Sequence, residues 1–173
     1  ETIGVVGGTG VGQLDGLTNI RRHTVDTPFG KPSSDVTEGS LGGQRVLFLP
    51  RHGEGHRIPP TEINFRANVY ALKDLGCTQL ISLSAVGSLR EDLSPGRFVL
   101  VDQFIDRTSL RAKSFFGTGL VGHVAFGDPV CQRLGNRLIS AARASGIEIT
   151  RGGTYLAMEG PQFSTLAESN LYR

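Results

Sequence analysis

Three short apolar runs, residues 2–6 (TIGVV), 46–49 (VLFL) and 79–83 (QLISL), each stop at glycine, proline or small residues, and a helical pattern separates the last two. Aliphatic and β-branched runs of this length, bounded by turn residues, read as buried strands. Strands alternating with helices predict an α/β fold on a mixed or parallel sheet, with ligands at the carboxyl ends of the strands. The first helix is predicted within residues 59–76. Ile63, Ala67, Tyr70 and Ala71 recur there at helical spacing, after two prolines and before Gly76. A second is predicted over residues 128–144, with Val130, Leu134, Leu138 and Ala141 on one stripe and Gly146 beyond its end. Residues 97–105 and 153–158 read as further strands, and residues 164–172 as a helix. Residues 29–49 read as an antiparallel hairpin or meander, and residues 108–122 as a mobile loop.

A chain of 173 residues is expected to form one domain. It is 38% hydrophobic and 20% charged, with no long apolar run, which argues against a membrane span. The net charge of +2 is scattered, too weak and mixed a field to recruit nucleic acid. The opening ETIGVVGG lacks the basic and hydrophobic regions of a signal peptide, so the cytoplasm is the expected compartment. Cys77 and Cys131 are far apart and show no CxxC spacing, so buried free thiols are expected.

The candidate chemistry lies where the strands end. After the first run comes Gly7-Gly8-Thr9-Gly10, where main-chain N–H groups and the Thr9 hydroxyl can converge on an anion. A bare tight turn explains the glycines equally well. The spacing is not that of a dinucleotide fingerprint, and no Walker A sequence exists. The second run leads into Arg51, a planar fork for phosphate oxygens, and His52, a hydrogen-bonding partner beside it. His52, Glu54 and His56 pose a zinc alternative, but HGEGH is not HExxH and no third ligand is evident, so no metal is expected. His56 and Arg57 read as solvated loop. The third run ends in Ser84-Ala85-Val86-Gly87, small residues that leave room for a ligand. The elbow pattern of serine hydrolases is absent around Ser84. Finally, Phe163 and Ser164 follow a strand and a turn. Phe163 can stack on a flat ring or fill a core. Three anion-donating loops beside an aromatic platform point to nucleoside phosphorolysis or to nucleotide binding.

The segments IGVVGGTG, VDTPFGKPS, RHGEGHRIPPTEINFRANVYALKDLG, GSLREDLSPGRFVLVDQFIDRT, GHVAFGDPVC and EGPQFSTLAES occur in this order. Together they closely resemble methylthioadenosine phosphorylases of the trimeric purine nucleoside phosphorylase class, over essentially the whole chain. The resemblance implies a phosphorylase-like, three-layer α/β fold with a mixed central sheet flanked by helices. It implies phosphorolysis of S-methyl-5′-thioadenosine to adenine and 5-methylthioribose 1-phosphate, with inorganic phosphate as co-substrate and no cofactor. Thr9, Arg51, His52, Ser84 and Ala85 would hold phosphate, Ala85 through its N–H, with Arg51 and His52 the catalytic pair. Phe163 and Ser164 would line the base pocket. His123 would reach into a neighbouring subunit's site within a homotrimer.

In 6-oxopurine relatives a glutamate stands where this chain has Ser164, which fits adenine because adenine has no N1–H to offer a carboxylate. Gln162 replaces a common family arginine, and Ser84 and Val86 vary on the family's theme. Family chains continue past the equivalent of Arg173, into a sugar-contacting methionine and aspartates that bind and protonate adenine. The 173 residues are therefore expected to be the larger part of a longer enzyme. The rival readings are a broader purine nucleoside phosphorylase and, if this is the mature length, a non-catalytic nucleoside or phosphate binder.

Overall fold

The first apolar run forms β1 (Ile3–Gly7), the strand between two parallel neighbours, in a computed structural model that describes residues 1–8 and 15–173. The partners are β4 (Gln44–Pro50) and β5 (Gln79–Ser82). Residues 36–50 form the expected hairpin, in which β3 (Val36–Leu41) runs antiparallel to β4. β2 (Thr18–His23) extends it on the outer edge, giving a mixed sheet of order β2-β3-β4-β1-β5. Sequence patterning missed β2: TNIRRH carries a single large apolar side chain, and five of its six residues are exposed.

The helix after this hairpin starts later than its periodicity predicts. Pro60–Glu62 forms a single 3-10 turn, and α1 spans Phe65–Asp74. Asn64 sets the boundary, because its side chain accepts a hydrogen bond from the Ala67 N–H and satisfies a donor the first turn leaves open. Ile63 therefore lies outside the helix. The buried face is Ala67, Asn68, Ala71 and Leu72. Ala71 and Leu72 pack with Val36, Leu47 and Leu49 into the core of the first compact unit, residues 1–85 and 112–115.

One charged cluster ties this unit together. Glu38 Oε2 accepts from Arg45 Nη2 at 2.7 Å and from His23 Nε2 at 2.9 Å. Arg45 Nη1 also donates to Leu75 O at 2.8 Å, at the C-terminal end of α1. The Arg45 hydrogen bond and charge, with His23 adding to them, hold the Glu38 carboxyl at about 2, from its ordinary 4.5, against the opposing effect of burial. A depressed carboxyl pKa stabilises the fold above the unfolded value and loses that contribution as pH falls towards the folded one. Thermal melts should therefore show a stability loss between pH 4.5 and about 2. It should amount to about 1–2 kcal/mol, because Arg45 is partly solvent-screened. Glu38→Gln should be less stable at neutral pH and lack that part of the acid slope.

The second unit, residues 86–111 and 116–173, is built on parallel pairs. β6 (Phe98–Leu100) pairs with β8 (Ile149–Arg151), and β7 (Gln103–Arg107) with β9 (Thr154–Met158). The single strand expected over residues 97–105 is thus two, broken at the same level as its partner. Gly152 and Gly153 take φ of +89° and +136°, open to glycine and strained for other residues. Asp102 bridges the break, its carboxylate accepting from Gly153 N at 3.1 Å.

α2 (Gln132–Ala144) is the crossover helix between these strands and begins four residues later than expected, leaving Val130 outside it. Its buried positions are Gly135 and Ile139, with Leu134 and Leu138 half-buried, whereas Ala141 faces solvent. The contact face is rotated because Gly135 lets the helix approach Leu100, whose Cδ2 would lie 3.2 Å from a Cβ there. α3 (Leu166–Tyr172) follows a Thr165–Glu168 capping box. Both cysteines are free thiols as expected, but only Cys77 is partly covered. Cys131 is exposed, because the N-terminal boundary of α2 falls on it. Residues 108–122 contain no helix or strand, and no helix among the described residues is long and apolar enough to cross a membrane.

Candidate active site

Parallel pairing brings the carboxyl ends of β1, β4 and β5 to one edge. Gly7 stands opposite Pro50, and Val6 opposite both Leu49 and Ser82. The alignment continues past the strands, through Arg51 N–H to Gly7 O at 2.9 Å and Leu83 N–H to Val6 O at 2.8 Å. Arg51 then bends across these ends. Its Nη1 donates to Leu83 O at 2.7 Å, and its Nη2 would lie 4.0 Å from a Cβ on Gly8. One guanidinium N–H is thereby anchored while the rest of the fork stays over the Gly7–Gly8 turn. Ser84 and Ala85 follow directly, exposed, and no described residue accepts from their backbone N–H groups. A guanidinium and main-chain donors converging at strand ends are what an anion requires. Thr9 and Gly10 lie outside the described residues.

His52 is buried beside Arg51. Its Nδ1 lies 2.8 Å from Ile58 O, and because a carbonyl only accepts, Nδ1 carries the proton and Nε2 is left for a further partner. His56, expected as plain solvated loop, stacks on His52 with ring centroids 4.2 Å apart and planes 20° from parallel. Spacing alone does not reveal this contact, since it depends on His56 adopting φ of +57°. Glu54 instead pairs with Arg22 at 2.6 Å. Among the described residues no three His, Cys, Asp or Glu side chains gather as a metal site would need.

A separate hollow of about 160 Å³ lies in the second unit, at the carboxyl ends of β7 and β9. Arg107, Met158, Phe163, Ser164 and Tyr172 contribute to its lining. Phe163 is 90% exposed, so it is a surface ring and no part of a core. Ser164 shares a hydrogen bond of 2.8 Å with Ser169 on α3, which orients its hydroxyl. His123 lies on exposed, irregular chain and does not contribute to the hollow's lining. Arg107 and Glu159 were not singled out from sequence. The signal for both was position: each stands at or just past the end of a strand, where the other site residues were sought.

Comparison with known proteins gives a consistent result. The model of the phosphorylase superfamily matches residues 2–173. The chain is 56% identical to an S-methyl-5′-thioadenosine phosphorylase of Geobacter sulfurreducens, over 100% of this chain and 61% of that protein. It is 57% identical to one of Rhodospirillum rubrum, over 99% and 58%. Among solved structures, it superposes on a methylthioadenosine phosphorylase from an antarctic soil metagenomic library with a TM-score of 0.95 and 47% identity, covering 98% of this chain and 60% of that one. The Schistosoma mansoni methylthioadenosine phosphorylase in complex with tubercidin gives 0.93 and 40%, over 99% and 69%. The chain spans about three fifths of the length of the two curated relatives.

Proposed function

Because this chain belongs to the phosphorylase superfamily, we propose that it serves a phosphorolytic enzyme that cleaves S-methyl-5′-thioadenosine to adenine and 5-methylthioribose 1-phosphate. The observation that carries the reading is the Arg51 fork, tied to Leu83 and poised over Gly7–Gly8 beside the exposed Ser84–Ala85 backbone. Thr9 and His52 complete the proposed phosphate cradle. Phosphate oxygen forms a bond to C1′ as the C1′–N9 bond breaks, and the departing electron pair is taken up by adenine with a proton. Holding the phosphate in line and stabilising developing charge each contribute several kcal/mol to such a reaction.

Phe163 and Ser164 form the proposed base platform. We take the two compact units as parts of one phosphorylase domain, spanned by a single family match over residues 2–173. The trimer, with His123 contributed to a neighbour's site, belongs to the same proposal, as do the cytoplasmic setting and phosphate as the only co-substrate. Arsenate or phosphate should be required for adenine release.

Ser164 sets the expected preference. A serine hydroxyl both donates and accepts, whereas a carboxylate only accepts and favours a base with N1–H. Methylthioadenosine should therefore be cleaved with kcat/KM at least about 10-fold above methylthioinosine and inosine, the scale of one well-placed hydrogen bond. Steady-state kinetics on the three nucleosides decides this, and a preference for inosine would sink it in favour of a 6-oxopurine phosphorylase.

A further inference from the structure

Within the second unit, three successive backbone N–H groups after β7 end on carboxylates. Thr108 N–H donates to Asp106 Oδ1 at 2.8 Å, and Ser109 and Leu110 N–H donate to Glu159 Oε2 at 2.5 and 2.9 Å. Glu159 comes from the other strand of the pair, one residue beyond β9 and immediately before Gly160, Pro161, Gln162 and Phe163. Arg111 closes the connection in the opposite direction. Its Nε faces Glu159 Oε1 at 3.4 Å, and its Nη2 donates to Met158 O at 3.2 Å and to Glu159 O at 3.3 Å. Each segment thus supplies a charged side chain that binds the other segment's main chain. Both side chains are only about one fifth exposed, 19% for Arg111 and 18% for Glu159. The Leu110 and Ser109 amides first, then Arg111, hold the Glu159 carboxyl below its usual range despite burial.

Met158, Glu159, Gly160, Gln162, Phe163 and Ser164 all line the hollow, while Arg107 lines it from the β7 side. An exposed ring such as Phe163 has few packing contacts of its own to fix its place. Its position therefore depends on how the main chain before it is held.

We propose that Glu159 and Arg111 act as a reciprocal positioning pair, clamping residues 108–111 to residues 158–159 and so setting where Phe163 and Ser164 meet a purine. Neither residue touches the reacting atoms. The inference rests on the reading of the hollow as the base site, and it assigns the pair an effect on purine binding separate from phosphate binding. Glu159→Gln keeps the shape but removes the charge that strengthens both amide contacts and the Arg111 contact. Arg111→Met keeps the stem and removes the fork.

The test is titration calorimetry with adenine and with inorganic phosphate, alongside hydrogen exchange at the Ser109 and Leu110 amides. Glu159→Gln and Arg111→Met should each weaken adenine about 10-fold or more, leave phosphate within about 2-fold, and speed exchange at both amides. The double variant should lose no more than the worse single one, because residues acting as one unit are non-additive. If the unaltered protein binds adenine and the variants bind it equally well, the clamp is overturned. A parallel fall in phosphate affinity overturns it too, since that marks general damage. If the unaltered protein binds phosphate but no adenine, the base-site reading fails. Amide exchange then still decides whether the clamp itself exists, unchanged exchange in Glu159→Gln overturning it.

Discussion

Arg51→Ala in the complete enzyme is expected, on the proposed phosphorolytic reading, to lower phosphate-dependent cleavage of methylthioadenosine by about 10²- to 10³-fold, the scale of removing one pre-positioned donor from a developing charge. The argument is geometric. With Nη1 fixed to Leu83 O at 2.7 Å, the guanidinium is already in place when an anion arrives. An alanine loses the charge and the anchoring of the β5 loop together. Arg51→Lys should recover only a small part, because an ammonium cannot hold Leu83 O and present a second parallel N–H at once. Phosphate titrations at saturating nucleoside measure the effect. Near wild-type turnover in Arg51→Ala would remove Arg51 from the phosphate site and, with it, the main support for phosphorolysis.

A large stability effect is expected at Leu72. This side chain is 1% exposed and packs in the cluster of Val36, Leu47, Leu49 and Ala71, where α1 meets the sheet. Leu72→Ala removes buried methyl groups and leaves a cavity that strands β3 and β4, hydrogen-bonded along their length, cannot collapse to fill. A loss of about 3–5 kcal/mol is expected, a large share of the stability of a domain of this size. Urea unfolding followed by circular dichroism measures it. Leu171→Ala on α3 is the control: that side chain is 72% exposed, and its loss should change stability by no more than about 0.5 kcal/mol. Equal effects at the two positions would refute the assignment of the core.

The sequence made β1, β4 and β5 legible because each reads as a continuous apolar run, although only β4 is buried along its length and β1 in part, whereas β5, the last strand of the sheet, leaves Leu80 41% exposed. It did not reveal β2, an edge strand whose residues face water and therefore carry no apolar pattern. The break between β6 and β7 was hidden for a different reason. FVLVDQFI looks continuous, and the interruption comes from Gly152–Gly153 on a partner some fifty residues away in the chain. The rotated face of α2 has a similar cause. Periodicity located a stripe through Leu134 and Leu138, but the close approach that Gly135 allows to Leu100 decides which side is covered.

The site divides in the same way. Arg51, His52, Ser84 and Ala85 were legible as strand-end residues of recognisable chemistry, and the structure brings Arg51 to the Gly7–Gly8 turn and to the Leu83 backbone that leads into Ser84. Glu159 and Arg111 are ordinary charged residues in loop sequence, and only their distant main-chain partners give them meaning.

Arg45 ties together three parts of the first unit: Glu38 of β3, the Leu75 carbonyl at the end of α1, and the Thr2 hydroxyl ahead of β1. Helix ends ordinarily fray on their own, since the last carbonyls have no partner within the helix. Here the final turn of α1 cannot loosen without releasing a side chain that also spans the sheet. Loosening of that end therefore costs contacts to two neighbouring segments of the sheet as well as the helix's own, so fraying of α1 and opening of the strands beneath the Gly7–Gly8 turn are energetically linked.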